Sequence, residues 1–384
     1  MAEIKPKYNI KTFGCQMNYS DSERVSSYLE TLGYENTQEM DEADIIIFNT
    51  CSIKQKAEDK ALGFMRKIRR LKTKNPDLLM VITGCMIRQS SSRYSSKRDR
   101  LFNKVKELDI ALRIESLPKF AGLVREINPD LNFQNIPEEE LVDYFKINPN
   151  YSSDFQAFVP VSTGCDKFCT YCIVPFSRGR EKCRAIDDIF NECQNLVENG
   201  CKEITLIGQT VNSYGLNVYD KVQKTFNDLP KGKEPFVHLL EQLETLNKRG
   251  LERVRFTSPH PKDTTDQLIE AMAKLKTQMP YIHMPLQSGD NEILKRMNRT
   301  YTIEHYMEVI QKLKKAIPNI AISTDIIVGF CGETEEQFMT SYKIFEEVGF
   351  DLAYISQYSE RKGTFANEHM EDDIPRDVKK KEIS

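Results

Sequence analysis

The sequence predicts an α/β protein in two parts: an open parallel-sheet domain, then a partial (β/α)6 barrel. Three observations predict it. Apolar runs of strand length alternate with helical patterns over most of the chain, which makes βαβ units and parallel sheets. In the first part the alternation recurs three times, and each strand ends in a short polar turn carrying a cysteine. In the second part six repeats follow, too few for a closed eight-fold barrel.

The first-part strands are Tyr8–Phe13, running into Gly14-Cys15, Ala43–Phe48, running into Asn49-Thr50-Cys51, and Leu78–Thr83, running into Gly84-Cys85. Helical patterns over Ser20–Leu32 and Lys54–Leu71 separate them. Ligands of an open parallel sheet sit outside the carboxyl ends of its strands. The fold therefore brings together three cysteines that the sequence separates widely. One such cysteine reads as a small buried hydrophobe; three in register point to metal or catalysis. Ser90–Arg100 is low in complexity and reads as a loop, and Glu126–Ser153, rich in Asn, Pro and acidic residues, as an interdomain connection. The expected division is 6–125 for the first domain, 126–153 for the linker and 154–384 for the second domain.

Second-part strands are expected at Ala157–Ser162, Glu203–Ile207, Arg253–Thr257, Tyr281–Pro285, Ile320–Val328 and Leu352–Ser356, with helices such as Ala185–Glu198, Asp263–Leu275 and Ile303–Ala316 between them. The strands end in polar or glycine residues: Gly208-Gln209-Thr210, Ser258-Pro259-His260, Gln287-Ser288-Gly289 and Thr324-Asp325. Barrels carry their sites on that rim.

Length and composition bound the rest. The 384 residues allow two or three domains, and 40% of them are hydrophobic, enough for real cores. Met1–Lys11 has charges but no apolar signal-peptide core. No apolar run approaches the roughly 20 residues that span a bilayer. The expectation is a soluble cytoplasmic protein with no membrane partner. Its ten cysteines would then sit in a reducing compartment, where clustered thiols mean metal or catalysis rather than disulfides. A net charge of −3 does not mark a dedicated nucleic-acid binder. Basic residues are local: Lys60, Arg66, Lys67, Arg69, Arg70, Lys72 and Lys74; Arg93, Lys97, Arg98 and Arg100; and Arg178, Arg180, Lys182 and Arg184. On charge alone these runs read as solvated faces.

The strongest local signal is Cys165-Asp-Lys-Phe-Cys169-Thr-Tyr-Cys172, directly after the first barrel strand. Three thiolates on one loop can hold three irons of a cubane cluster. A cluster that only carries electrons usually has four cysteines; three leave one iron open, as a catalytic metal must be. Structural zinc is the alternative, but it wants four closed ligands. Cys183, eleven residues beyond Cys172, is the nearest further cysteine.

This spacing resembles the radical S-adenosylmethionine (SAM) superfamily. The resemblance implies a radical SAM barrel in which the open iron binds the amino and carboxylate groups of SAM. One electron then cleaves SAM to methionine and a 5′-deoxyadenosyl radical, with Cys165, Cys169 and Cys172 as the catalytic cluster ligands. More of the chain resembles the radical SAM methylthiotransferases. The matching stretches are Thr12-Phe-Gly-Cys-Gln-Met-Asn18, Asn49-Thr-Cys-Ser-Ile53, Thr83-Gly-Cys85, Gly164–Cys172, Gly208-Gln-Thr-Val-Asn-Ser-Tyr214, Ser258-Pro-His-Pro261, Pro285-Leu-Gln-Ser-Gly289 and Thr324–Phe330. By this resemblance the first domain is flavodoxin-like, and Cys15, Cys51 and Cys85 hold a second, auxiliary [4Fe–4S] cluster. One SAM donates a methyl group, a second yields the radical, and the auxiliary cluster presents sulfur. An electron donor such as flavodoxin or ferredoxin is implied, and a monomer is expected. Gln209, Gln287 and Asp325, at strand ends, are the candidates to reach the ribose, carboxylate or adenine of SAM.

Three sister groups share this architecture. Asn49–Ile53 and Gly208–Tyr214 look most like the MiaB type, which acts on C2 of N6-isopentenyladenosine beside the tRNA anticodon. The other two act on threonylcarbamoyladenosine in tRNA and on an aspartate of a ribosomal protein. For a tRNA substrate, the basic runs around Arg66–Lys74 and Arg178–Arg184 would face phosphate. Family members continue into a small β-barrel, the TRAM domain. The chain stops at Lys379-Lys-Lys-Glu-Ile-Ser384, about where that domain should begin, so it is expected to be missing. Cys331 replaces the proline usual after Val-Gly-Phe, and Cys183, Cys193 and Cys201 match no family ligand; Cys193 and Cys201 look like helix-face packing. Two further function classes compete. Another radical SAM enzyme would not need three N-terminal cysteines at strand ends, and an iron–sulfur scaffold would not need an open-site loop.

Overall fold

The computed structural model describes residues 5–51, 55–129, 143–217, 221, 225–226 and 228–383. It forms two compact units, one of Met1–Ser152 with Phe176–Arg178, the other of Ser153–Pro175 with Gly179–Ser384.

The first unit is built on a six-stranded sheet of β1 (Lys7–Phe13), β2 (Glu35–Asn36), β3 (Ile45–Thr50), β4 (Leu79–Gly84), β5 (Ser91–Ser92) and β6 (Ile110–Leu112). Its order is β2-β1-β3-β4-β6-β5, parallel except at β5. With β6 counted as the fifth strand, this is the flavodoxin-like order, whose switch point lies between β1 and β3. All residues of β3 and β4 are buried, as expected of a parallel sheet covered on both faces. The alternation of the strand sorts them. Ile45, Ile47, Leu79 and Val81 meet Val25 and Leu29 of the helix Gln16–Thr31 and Phe120 and Val124 of the helix Phe120–Ile127. Ile46, Phe48, Met80 and Ile82 meet Ala61, Met65, Ile68 and Leu71 on the other face. The register places Phe13, Thr50 and Gly84 side by side.

Three features differ from the sequence expectation. The single helix expected over Lys54–Leu71 is two, Gln55–Gly63 and Met65–Lys74. The break sets the Phe64 ring against Phe13 and Phe48, with centroids 5.8 and 5.6 Å away. Ser90–Arg100 is no simple loop. Ser91 and Ser92 are buried in edge strand β5, and Asp99 accepts the N–H groups of Arg88 and Gln89. The described end of the connection, 143–152, packs onto the first unit: Tyr144 and Ile147 enter its core, and Ser152 Oγ donates to Glu23. Residues 130–142 of that connection, Ser52 and Ile53 of the second motif, and Lys54 lie outside the described residues.

The basic helix is partly spoken for. Lys72 and Arg93 both pair with buried Asp109, which also accepts the Met80 N–H at 2.6 Å. Arg69 pairs with Glu107. Arg66, Lys67 and Arg70 are exposed.

Among its described residues the second unit holds six parallel strands in two three-stranded sheets. The first is β7 (Gln156–Pro160), β10 (Glu203–Ile207) and β11 (Arg253–Phe256); the second is β12 (Tyr281–His283), β13 (Ala321–Val328) and β14 (Leu352–Gln357). Helix starts carry local signals. Thr265, Thr302 and Thr334 cap the helices Asp266–Lys274, Ile303–Ala316 and Glu335–Val348 by accepting backbone N–H groups, and Thr334 with Gln337 makes a capping box. Cys193 is buried on the inner face of the helix Ile186–Glu198. Cys201 lies beyond that helix, its thiol donating to backbone carbonyls of Phe155 and Glu203. A short antiparallel pair, β8 (Ser162–Thr163) with β9 (Lys182–Cys183), was not legible in advance and pins the base of the cysteine loop.

Replacing Asp109 by Ala should destabilise the fold by about 3 kcal/mol, because it strands the half-buried Lys72 charge and the buried Met80 N–H. Chemical denaturation measures this; an unchanged midpoint would show that the ion cluster contributes nothing.

Candidate functional site: two cysteine clusters

The first cluster follows from strand register. The ladder continues one step past the strand ends: Cys51 donates its N–H to Phe13 O and Cys85 to Thr50 O, both at 2.9 Å. Cys15 caps the N-terminus of the helix Gln16–Thr31. The chain turns tightly at two glycines. Gly84 has φ +91°, and a Cβ there would lie 2.2 Å from Thr50 O. A Cβ on Gly14 would lie 2.1 Å from Asn18 Oδ1. That oxygen accepts the Cys15 N–H, while Asn18 Nδ2 donates to Asn49 Oδ1 at 2.8 Å and Asn49 Nδ2 returns a bond to Asn18 O at 2.7 Å. This buried amide pair ties the end of β1 to the end of β3. It uses the last residue of the first motif and the first of the second.

The thiols touch. Cys51 hydrogen-bonds both neighbours, and these bonds hold Cys15 and Cys85 down at about 6, helped at Cys85 by the Arg178 charge. Cys51, the donor, is pushed up. Arg178, buried in the same unit, donates from Nε to Cys85 Sγ at 3.3 Å and from Nη2 to Asp21 Oδ2 at 2.5 Å; its Nη1 is buried with no partner. Asp21 also accepts from Tyr144.

The second cluster is a single loop in the second unit. Gly164, at φ +76°, opens it; a Cβ there would lie 2.2 Å from Arg180 O. Cys165 donates its N–H to Gly179 O, Lys167 donates its N–H to Cys165 Sγ at 3.5 Å, and Cys172 N–H meets Cys169 O at 2.9 Å. A remote segment, Arg296–Arg299, holds the loop's shape. Thr170 bonds Arg296 O and Met297 O, and Asn298 Nδ2 donates to the carbonyls of Lys167 and Phe168. This fixes Phe168 at φ 49°, unusual for a bulky residue. Half-buried Arg299 donates from Nη1 to Cys169 Sγ at 3.3 Å. Burial pushes the Cys165 thiol up to about 12.

The donor set fits iron–sulfur clusters. Each site offers three thiols, no disulfide, and a guanidinium on one sulfur, fully buried at Arg178 and half-buried at Arg299. Among the described residues no three His, Cys, Asp or Glu side chains converge tightly enough for one metal ion. A cubane does not need that, since each thiolate binds its own iron. Burial disfavours thiolate at Cys51 and Cys165, and the positive charge of bound metal would offset it.

The rim candidates divide. Gln287, at φ 66°, donates its backbone N–H to Asp325 O at 2.8 Å, so these two are neighbours. Asp325 is also hydrogen-bonded to His283 Nε2 at 3.1 Å. Gln209 is half-buried at the end of β10, in the other sheet. Sequence reasoning passed over His260, although its motif was marked. Burial first, then Arg299 and Lys167, lowers it to about 2, so it is neutral, and its Nδ1 is buried without a partner. The basic run Arg178–Arg184 is corrected: Arg178 and Arg184 are inside the protein, Arg184 paired with Glu192, and Arg180 pairs with Asp166.

A model of the radical SAM superfamily matches residues 159–344, and one described as uncharacterized protein family UPF0004 matches 7–105. The tRNA-2-methylthio-N(6)-dimethylallyladenosine synthase of Clostridium botulinum (strain Okra) is 44% identical over 381 residues, covering 98% of this chain and 80% of its own. The chain belongs to the radical SAM methylthiotransferase family, MiaB type. The protein of the same name from Caldicellulosiruptor saccharolyticus is 44% identical over 97% of this chain and 75% of its own. Among solved structures, the radical SAM methyltransferase TsrM of Kitasatospora setae aligns with TM-score 0.61 at 11% identity, over 92% of this chain and 73% of its own. The cobalamin-dependent SAM radical enzyme OxsB gives 0.58 at 15%, over 89% and 52%. At such identity the likeness is one of fold. This methylthiotransferase is thus an α/β enzyme with parallel sheets, as its sequence pattern predicts.

Replacing Gly84 by Ala should cost about 2 kcal/mol or more, from the left-handed backbone and the close Thr50 carbonyl. The same change at Gly122, which has open space around it, is the control in thermal unfolding. Equal effects would remove the constraint on the Cys85 turn.

Proposed function

We propose that this enzyme transfers a methylthio group to C2 of N6-isopentenyladenosine next to the anticodon of tRNA, in the cytoplasm. One observation carries the reading: a second set of three cysteines, brought together at the ends of β1, β3 and β4, in a chain that also has the three-cysteine loop. A radical SAM enzyme that only made a radical would need the loop alone. The identity to synthases named for this adenosine, across 98% of the chain, supports the substrate. In this reading Cys165, Cys169 and Cys172 hold one [4Fe–4S] cluster and Cys15, Cys51 and Cys85 the other. When bound, the clusters and SAM supply an electron, a carbon radical and a sulfur atom, which no side chain can supply.

The chain's own residues bind and orient. Arg299 meets the Cys169 sulfur and the Asn298 amide braces the loop backbone that carries the three thiols. Gly208–Thr210, Gln287 and Asp325 line strand ends from which polar groups reach SAM. His283, between Ser323 Oγ at 2.8 Å and Asp325, fixes the Asp325 carboxylate. For tRNA, the exposed Arg66, Lys67 and Arg70 offer positive charge that no acidic partner takes up in the described structure. No helix among the described residues is long and apolar enough to cross a membrane.

Cys51→Ala should still cleave SAM under reducing conditions yet yield no methylthio product in tRNA. Cys169→Ala should do neither. Mass spectrometry of tRNA nucleosides, with 5′-deoxyadenosine assayed in parallel, reads both. Normal methylthio yield from Cys51→Ala would falsify the second centre. Reversing Arg66, Lys67 and Arg70 to Glu should flatten the slope of log affinity for tRNA against log salt by about two units, at roughly 0.7–0.9 per phosphate contact. An unmoved slope would turn this helix away from the substrate.

A further inference from the structure

Resting on the assignment of a cluster to Cys15, Cys51 and Cys85, we propose that Arg178 is the internal counter-ion of that cluster and sets its reduction potential. Arg178 comes from a stretch that the sequence offers as an RNA-facing basic run. It is instead 3% exposed, and Phe176–Arg178 belong to the first unit although they lie only a few residues after Cys172 in the chain. Burying a guanidinium costs several kcal/mol unless it is paired and hydrogen-bonded. Here the pairing is incomplete. Nη2 meets Asp21 at 2.5 Å and Nε meets Cys85 Sγ at 3.3 Å, but Nη1 has no protein acceptor. A buried donor left over beside three thiols marks a cation built to face anionic sulfur beyond the protein's own.

The groups around it set the sign. Asp21 is fully buried and accepts Tyr144 Oη at 2.5 Å, so its charge is held on the Nη2 side. Glu115, the other carboxyl acting on Arg178, is itself pushed toward its neutral form by burial. The Nε edge, nearest Cys85, therefore presents positive charge to the cluster. One-electron reduction adds negative charge there. A charged N–H···S bond in a dry site stabilises the reduced form more than the oxidised one. The guanidinium thus raises the potential and eases electron uptake by the centre that presents sulfur. Its partner Asp21 is a positioning residue that tempers this effect.

The test is a redox titration followed by electron paramagnetic resonance. It uses the 384-residue chain, reconstituted and carrying Cys165→Ala, Cys169→Ala and Cys172→Ala, so that one centre remains. Arg178→Gln should lower the midpoint by about 59 mV or more, the one-electron equivalent of a tenfold change in relative stability. Asp21→Asn, which frees the guanidinium charge, should raise it. A purely structural ion pair would not move the two variants in opposite directions. An unchanged midpoint in Arg178→Gln with iron retained overturns the proposal. If Arg178→Gln does not load iron, Asp21→Asn decides alone: a rise supports the counter-ion, and a fall or no change overturns it. Absence of iron in the parent protein would instead sink the cluster assignment beneath it.

Discussion

The register of three parallel strands is the constraint on which the first site depends. Side chains of a β-strand cannot choose their neighbours; the ladder chooses for them. With Phe13, Thr50 and Gly84 aligned, the next hydrogen-bonded step delivers Cys51 and Cys85 beside the turn that carries Cys15. A slip of one residue in any strand would send a thiol to the opposite face. The glycine turns and the Asn18–Asn49 amide pair fix that register at its end. The hydrophobic faces of β3 and β4 fix it from below. Sheet packing and cysteine chemistry are therefore one problem here, and a core change in β3 would be felt at the sulfur atoms.

The second site solves the same placement locally. Three cysteines within one loop need no long-range register, but they need the loop to hold an awkward shape. Phe168 at positive φ shows the strain, and the Asn298 amide bonded across the loop shows what offsets it. The arginine of each site comes from elsewhere in the sequence than the thiol it meets: Arg299 for Cys169, Arg178 for Cys85. In both, a guanidinium placed on a sulfur atom supplies positive charge to a group of thiols.

Much of this was readable in the sequence because the signals are local. The helix Ile303–Ala316 and the strand Glu203–Ile207 have the bounds their patterns predict. The cysteines at strand ends were legible because apolar runs stop where the site begins. What was not legible depends on partners far off in the chain. Lys72 looks like a solvated helix charge until β6 brings Asp109 under it. Arg178 looks like part of a phosphate-facing run until Asp21, on the first helix, takes its guanidinium. The serines of β5 resemble a loop because a buried edge strand made of small polar residues has no apolar alternation to betray it. Composition reports charge, but only packing reports whether that charge faces water.

Iron and acid-labile sulfide per chain, measured anaerobically after reconstitution, bear most directly on the claim that two distant sets of cysteines each build a centre. The wild-type chain should hold about eight irons and the Cys15→Ala/Cys51→Ala/Cys85→Ala protein about four, each cubane contributing four. About four irons in the wild type, or about eight in the triple variant, would contradict it.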